Sequence, residues 1–188
     1  MDSCYSRIES RKAEKLVEEL KSRGLCGEDS RNVIFDDLTD LRYLSGVIKE
    51  GMRTAHVAIG SFFWITPHDM TILGYRVPAG TRITFPSMRY VWLEIAWDDA
   101  DVFRPGRWIE DGDMAEVRYA GFSYGPRDCI GQRLAMMEMK AALVRLISQY
   151  KFYPTTSFHV ITNDVCDGAA IETRNGVCLK VAPRGLVA

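Results

Sequence analysis

Phe122-Ser123-Tyr124-Gly125-Pro126-Arg127-Asp128-Cys129-Ile130-Gly131 is the stretch of this sequence that decides how the rest is interpreted. It places a single cysteine just before a predicted helix, with an arginine two positions earlier and glycines on both sides. The free N–H groups and the dipole at a helix N-terminus favour negative charge, and the thiolate is the form of cysteine that binds metal. The stretch therefore predicts a cysteine that binds a metal ion.

The other fixed positions of this loop favour iron held in a haem. Gly125 would let the backbone pass a flat macrocycle without a Cβ clash, and Arg127 offers a permanent cation suited to a haem propionate. Phe122 would shield the sulfur of Cys129 from water. Gly131 would let backbone N–H groups approach that sulfur and tune an iron–thiolate site. The alternative is a buried structural cysteine in a turn before a helix.

Composition and charge exclude several other classes of protein. The chain has 188 residues and a net charge of −1, without a block rich in lysine and arginine, which argues against a nucleic-acid partner. Its five cysteines are an odd number and include no C-x-x-C pair, so neither a disulfide framework nor a zinc site is expected. No apolar run approaches the ~20 residues of a membrane span, and the N-terminus lacks a signal-peptide core. We therefore expect a soluble, cytoplasmic chain.

The hydrophobic pattern predicts a mixed α+β fold that is mostly helical. Apolar residues at helical spacing indicate three longer helices, at residues 8–23, 41–54 and 131–150, and a shorter one at 87–95. Short β-like segments are expected at 61–66, 70–73 and 82–85, and strand pieces forming a terminal hairpin at 152–181. Residues 98–120 are irregular and rich in Asp, Gly and Pro. An ordinary buried strand is the favoured interpretation of residues 62–65, with the edge of a ligand pocket as the alternative.

Three motifs together resemble those of the cytochrome P450 family. The pattern F-x-x-G-x-R-x-C-x-G at 122–131, followed by a helix with Leu134, Ala135 and Glu138, is similar to the haem-binding signature of that family. Glu50-Gly51-Met52-Arg53 resembles its E-x-x-R helix, and Phe103-Arg104-Pro105-Gly106-Arg107-Trp108 resembles its meander. The segment 43–49 is similar to filamentous-fungal members. The resemblance implies that residues 1–188 form the C-terminal, proximal haem-side part of one cytochrome P450 domain.

The resemblance also implies a role for each candidate site residue. Cys129 would be the axial ligand of the haem iron, and Arg127 would hold a propionate. Phe122, Gly125 and Gly131 would shape the loop. Glu50, Arg53 and Arg107 would form a buried Arg-Glu-Arg network with a structural role, although the spacing of Glu50 and Arg53 alone predicts only a pair on one helix face.

The function implied is that of a haem-thiolate monooxygenase. Such an enzyme inserts one oxygen atom from O2 into a small apolar substrate, takes electrons from an NADPH-dependent reductase, and in fungi often serves secondary metabolism. Full-length relatives are usually anchored to the endoplasmic reticulum membrane. Two alternatives stay open because the chain lacks the expected oxygen-activating helix: a truncated, non-catalytic remnant, and an interaction module whose exposed face is covered by another chain.

Four positions depart from the usual family pattern. Gly106 stands where the meander usually has an acid, and Trp64 stands where many relatives have an arginine that binds a propionate. Tyr90-Val91 replaces the common His-Arg pair. These departures predict weaker haem binding than in a typical member.

Overall fold

The computed structural model describes residues 2–27, 30–55, 63–84, 97–112, 118, 121–123, 125–155, 163–166, 170–173 and 177–184. Its four described α-helices are α1 (Asp2–Ser22), α2 (Arg42–Thr54), α3 (Arg107–Glu110) and α4 (Gln132–Gln149). Two short 3-10 helices lie at Phe35–Thr39 and Gly125–Arg127. Each of the eight described strands has five residues or fewer, so the predicted mostly helical α+β class is confirmed.

The three longer predicted helices are all present. Helix α1 begins six residues earlier than predicted, while α2 and α4 match the prediction within one residue. Helix α1 ends in a Schellman motif, in which the N–H of Leu25 bonds to the carbonyl of Leu20 and the N–H of Gly24 to that of Lys21. Gly24 has a φ of +67°, a conformation that glycine adopts without a steric cost. The predicted helix at 87–95 lies outside the described residues.

The N-terminus of α2 is capped by a side chain from another helix. Leu41, at the N-cap position, provides no side-chain hydrogen bond. Instead, the carboxylate of Glu19 in α1 accepts hydrogen bonds from the N–H groups of Tyr43 at 2.7 Å and Leu44 at 2.8 Å. A negative charge at a helix N-terminus also interacts favourably with the helix dipole. This contact fixes α1 against the start of α2.

The described strands form four antiparallel pairs. β1 (Phe63–Ile65) pairs with β4 (Arg82–Thr84), and β2 (Met70–Ile72) pairs with β3 (Tyr75–Val77). Near the C-terminus, β5 (Tyr150–Pro154) pairs with β8 (Leu179–Pro183), and β6 (Asn163–Cys166) pairs with β7 (Ala170–Thr173). The predicted terminal hairpin is therefore two nested pairs, because β6 and β7 lie within the connection between β5 and β8.

The interpretation of residues 62–65 as a buried strand is wrong for the three residues described. Phe63, Trp64 and Ile65 form β1, and all three are exposed, by 47%, 36% and 60%. Their apolar character led to the error, since an apolar run indicates burial only when another layer covers it. Among the described strands, β1 pairs with β4 alone.

Two clusters of buried apolar residues stabilise the described part of the chain. The larger cluster joins α1, α2, α4 and the connection after α1, and consists of Leu16, Leu20, Leu25, Cys26, Leu38, Leu41, Leu44, Ile48 and Val144. The smaller cluster consists of Trp97, Ala100 and Trp108. Met52 of α2 packs against both clusters. Among its described residues, the predicted irregular segment 98–120 includes the helical turn α3, beside the smaller cluster.

Candidate functional site

The cysteine loop, residues 122–131, contains the 3-10 helix at Gly125–Arg127 and leads directly into α4. The N–H of Cys129 donates to the carbonyl of Phe122 at 2.9 Å, which closes the loop on itself. The carbonyl of Cys129 accepts from the N–H of Gln132 at 3.1 Å, at the first turn of α4. Cys129 is a free, exposed cysteine. The alternative of a buried structural cysteine is therefore excluded.

Backbone conformation explains why one of the two loop positions, 125, is a glycine. Gly125 has a φ of +83°, in the region that side chains disfavour, and a Cβ added there would meet no atom of the described residues within 4 Å. Gly131 has an ordinary φ of −84°. A Cβ at Gly131 would lie 3.8 Å from the sulfur of Cys129, so this glycine keeps the space beside the sulfur open. No hydrogen bond between described residues reaches that sulfur.

Cys129 follows two charged, exposed residues, Arg127 and Asp128, and precedes the apolar Ile130. Arg127 is exposed, and no described residue pairs with its guanidinium group. Ile130 is fully exposed and Leu134, on the first turn of α4, is 57% exposed. Phe122 is half-buried. The loop thus presents a thiol, a cation and apolar side chains on an open surface.

This donor set fits a haem and does not fit a metal bound by protein ligands alone. Among the described residues, no group of three or more His, Cys, Asp or Glu side chains is arranged to hold a metal ion. A haem supplies four nitrogen ligands of its own, so a single protein side chain such as a cysteine thiolate would suffice to hold its iron. Cys129 has an accessible sulfur, and the exposed guanidinium of Arg127 would suit a propionate. Open space beside Gly125 leaves room for a flat group.

A second group of predicted residues meets around the carboxylate of Glu50. This carboxylate accepts two hydrogen bonds from Arg53, both at 2.9 Å, and one from Nε of Arg107 at 3.1 Å. It also accepts from Nε1 of Trp108 at 3.0 Å and from the backbone N–H of Arg104 at 2.8 Å. Glu50 and Arg53 are fully buried, and Arg107 is 1% exposed. These contacts are those of a buried network, not of a surface ion pair.

The charge of Glu50 is stabilised by its partners. Burial opposes ionisation and acts to raise the pKa of Glu50, but the hydrogen bonds from Arg53 and Arg104 and the charges of Arg53 and Arg107 outweigh it. The pKa of Glu50 is therefore lowered from its ordinary value of 4.5. A carboxylate with several donors remains ionised even in the interior.

The described structure groups the predicted residues in two places, the cysteine loop and the Glu50 cluster. Sequence reasoning missed Trp108, whose indole N–H binds Glu50. It also missed the backbone N–H of Arg104. The position of Trp108 directly after Arg107 was the only signal for its role, since a side chain next to a network residue shares its turn of helix α3. Backbone donors leave no signal in a sequence.

Comparisons with known proteins agree with the motifs. A family model described as Cytochrome P450 matches residues 12–178. Putative cytochrome P450 CYP13A5 of Caenorhabditis elegans is 34% identical over 156 residues, covering 81% of this chain and 29% of that protein. Cytochrome P450 3A19 of Capra hircus aegagrus is 33% identical over 155 residues, covering 81% of this chain and 70% of that protein. Cytochrome P450 4d2 of Drosophila melanogaster is 32% identical over 168 residues, covering 86% and 32%.

The extent of these matches decides the family. The chain spans about a third of the length of the nematode and fly proteins, so it corresponds to only a part of them. The matched region nevertheless includes both the cysteine loop and the Glu50 cluster. This chain belongs to the cytochrome P450 family.

Proposed function

We propose that this chain is the proximal haem-binding part of a haem-thiolate monooxygenase, with Cys129 as the axial ligand of the iron. The observation that carries the proposal is the free, exposed sulfur of Cys129. This residue lies just before α4, where its backbone N–H donates to the carbonyl of Phe122. A loop closed in this way fixes the backbone at Cys129 before any ligand binds. Preorganisation of this kind lowers the cost of binding.

The other four candidate residues of the loop also have a role in haem binding in this proposal. Arg127 pairs with a propionate, and its exposed guanidinium is available for that contact. Phe122 screens one side of the sulfur from water, while Gly125 and Gly131 leave space for the macrocycle. Bound haem would supply the redox chemistry that activates O2. The protein would supply the thiolate and the orientation of the haem.

The substrate and partners follow from the same proposal. Family membership supports a small apolar substrate and electrons from an NADPH-dependent reductase, and the resemblance of segment 43–49 to fungal sequences supports a role in secondary metabolism. We further propose that residues 1–188 form one part-domain that relies on the Glu50 cluster for its structure. Within the described residues, none of the helices has the length and apolar character needed to cross a membrane.

A carbon monoxide difference spectrum of the reduced, haem-supplemented chain tests the proposal. We expect the red-shifted Soret band of thiolate-ligated ferrous haem, and we expect Cys129→Ser to abolish it. Cys178→Ser is the matched control, because Cys178 is also a free, exposed cysteine. Loss of the band in both variants, or in neither, contradicts Cys129 as the ligand. Absence of haem uptake by the unmodified chain supports the alternative of a non-catalytic remnant.

Arg127→Ala separates haem binding from iron ligation. The proposal predicts a weaker affinity for haem with an unchanged position of the Soret band, because the propionate partner is lost while the thiolate remains. Arg133→Ala on the first turn of α4 is the control, since Arg133 is likewise exposed. Equal losses in both variants would show a general effect of surface charge.

A further inference from the structure

The Glu50 cluster contains more positive than negative charge. Two guanidinium groups, of Arg53 and Arg107, share one carboxylate, and all three side chains are at most 1% exposed. The cluster therefore holds one surplus positive charge in the interior. Because burying a charge without compensation is costly, other groups must stabilise the surplus.

Backbone carbonyl groups provide part of this compensation. Arg53 donates to the carbonyls of Ala100 at 2.7 Å and Val102 at 3.2 Å. Arg107 donates to the carbonyls of Asp98 at 2.7 Å, Asp99 at 3.1 Å and Val102 at 3.3 Å. The segment from 98 to 102 thus turns its carbonyl dipoles toward the two cations. Because the N–H groups of a guanidinium lie in its plane, these bonds leave the faces of both groups for other contacts.

The ring of Trp97 lies against both cations. Cζ of Arg53 is over this ring at 5.6 Å from the centroid, and Cζ of Arg107 is over it at 5.7 Å. A cation within about 6 Å of an aromatic face is attracted by the ring quadrupole, most strongly when the pair is desolvated and the ring is an indole. Trp97 is only 1% exposed. All three conditions for a strong interaction are met twice on one ring.

A hydrogen bond does not explain the presence of an indole at position 97. Nε1 of Trp97 is buried and has no hydrogen-bond partner among the described residues. Leaving a buried donor unpaired costs free energy, so a tryptophan here is favourable only if its ring gains more than an aliphatic side chain would. The neighbouring Trp108, 5.4 Å away between centroids, uses its N–H to bind Glu50. The two tryptophans therefore contact opposite charges of the cluster.

We propose that Trp97 is a positioning residue that holds the Arg53 and Arg107 guanidinium groups through its aromatic face, and is not an ordinary apolar core residue. Its ring compensates the surplus charge of the Glu50 cluster and so keeps both arginines on the single carboxylate. This assignment rests on the contacts above and is independent of haem binding. Its failure would leave the proposed function untouched.

Fluorinated tryptophans placed at position 97 alone test this proposal. Each added fluorine withdraws electron density from the ring face and weakens cation binding, while the shape changes little and the hydrophobicity rises. We expect the unfolding equilibrium constant of the full chain to increase stepwise with fluorination, by on the order of tenfold across the series. Stability that stays flat or rises along the series would show a role in packing only and would overturn the proposal.

Two ordinary substitutions provide a second, independent readout. Trp97→Phe keeps an aromatic face, whereas Trp97→Leu keeps only apolar bulk. We expect the Trp97→Phe variant to retain a clear part of the stability that the Trp97→Leu variant loses. Both substitutions leave a cavity, but only phenylalanine offers an aromatic face to the guanidinium groups. Equal destabilisation by Phe and Leu contradicts the proposal. The fluorinated series decides the question if either variant fails to fold.

Discussion

Glu50 is the residue on which the buried cluster depends, because its carboxylate contacts both arginines and the indole of Trp108. Glu50→Gln keeps the shape of the side chain but leaves two buried cations without a counter-charge. We expect a loss of roughly 3–5 kcal/mol in the free energy of unfolding, as is typical when one partner of a buried ion pair is removed. Urea unfolding measures this loss.

Asp40→Asn is the control for this substitution. Asp40 pairs with Arg23 at 3.3 Å on the surface, where both side chains are largely exposed. Surface pairs of this kind contribute about 0–1 kcal/mol. A Glu50→Gln loss no larger than that of Asp40→Asn would show that the cluster is not a stabilising network.

The same carboxylate predicts the direction of the pH dependence. The pKa of Glu50 in the folded chain lies below its ordinary value of 4.5, so the folded state binds its proton less readily than the unfolded state. The stability from Glu50 is thus complete above about pH 4.5 and is lost as the pH falls through the lower, folded-state pKa. Thermal unfolding at a series of pH values from 6 to 3 measures this loss of stability.

The Glu50→Gln variant should show a weaker loss of stability over this acid range. A part of the pH dependence will remain, because Arg31 and the N–H of Ile34 lower the pKa of Asp37 to about 2. Protonation of Asp37 therefore also removes stability from the fold as acid is added. Identical slopes in the variant and the unmodified chain would contradict the role given to Glu50.

At the scale of elements, the approach of α2 to the turn before α3 depends on one glycine. A Cβ at Gly46 would lie 2.7 Å from the carbonyl oxygen of Pro105, which is closer than real contacts allow. We expect Gly46→Ala to destabilise the chain by about 1–3 kcal/mol, as overpacking does. Gly51 lies on the same helix with no atom within 4 Å of its added Cβ.

Gly51→Ala is therefore the matched control and should have the opposite sign. In a helix interior, alanine is more favourable than glycine by up to about 1 kcal/mol. Thermal unfolding of the two single variants separates the two effects. Gly46→Ala reports on the close contact with Pro105, and Gly51→Ala reports on helix propensity alone. If both substitutions stabilise the chain, α2 does not approach Pro105 as closely as the structure shows.

The elements also show what the sequence could and could not predict. Helices α2 and α4 were predictable to within one residue because their apolar positions repeat at helical spacing. The exposure of β1 was not predictable, because an apolar run does not reveal whether another layer covers it. The side-chain cap that Glu19 provides for α2 depends on how two helices pack, and the spacing of residues within either helix does not contain that information.

For the whole molecule, the family motifs and the structure identify different features of the site. The motifs indicated Cys129 and Arg127, and also the contacts of Glu50 with Arg53 and Arg107. The carbonyl groups that compensate the surplus charge and the position of two cations over Trp97 could not be predicted, since both depend on how the segment 97–102 packs against α2. Long-range contacts of this kind require coordinates.

At this largest scale, the cooperativity of the chain depends on how its two apolar clusters are joined. Met52 on α2 packs against both the larger cluster and the Trp97–Trp108 cluster. Truncating it with Met52→Ala removes contacts on both sides, whereas Met139→Ala on α4 removes contacts with the larger cluster only. We therefore expect the two variants to differ in the shape of their unfolding transitions.

Far-ultraviolet circular dichroism follows the helices of the larger cluster, and tryptophan fluorescence includes the signals of Trp97 and Trp108. Coincident transitions by both probes indicate a single cooperative unit. We expect the two transitions to coincide in the unmodified chain and in Met139→Ala, and to separate in Met52→Ala, with fluorescence changing at the lower urea concentration. That order follows because the smaller cluster has fewer apolar residues to stabilise it once its link to α2 is weakened. Coincident transitions in Met52→Ala would mean that the Glu50 contacts alone couple the clusters.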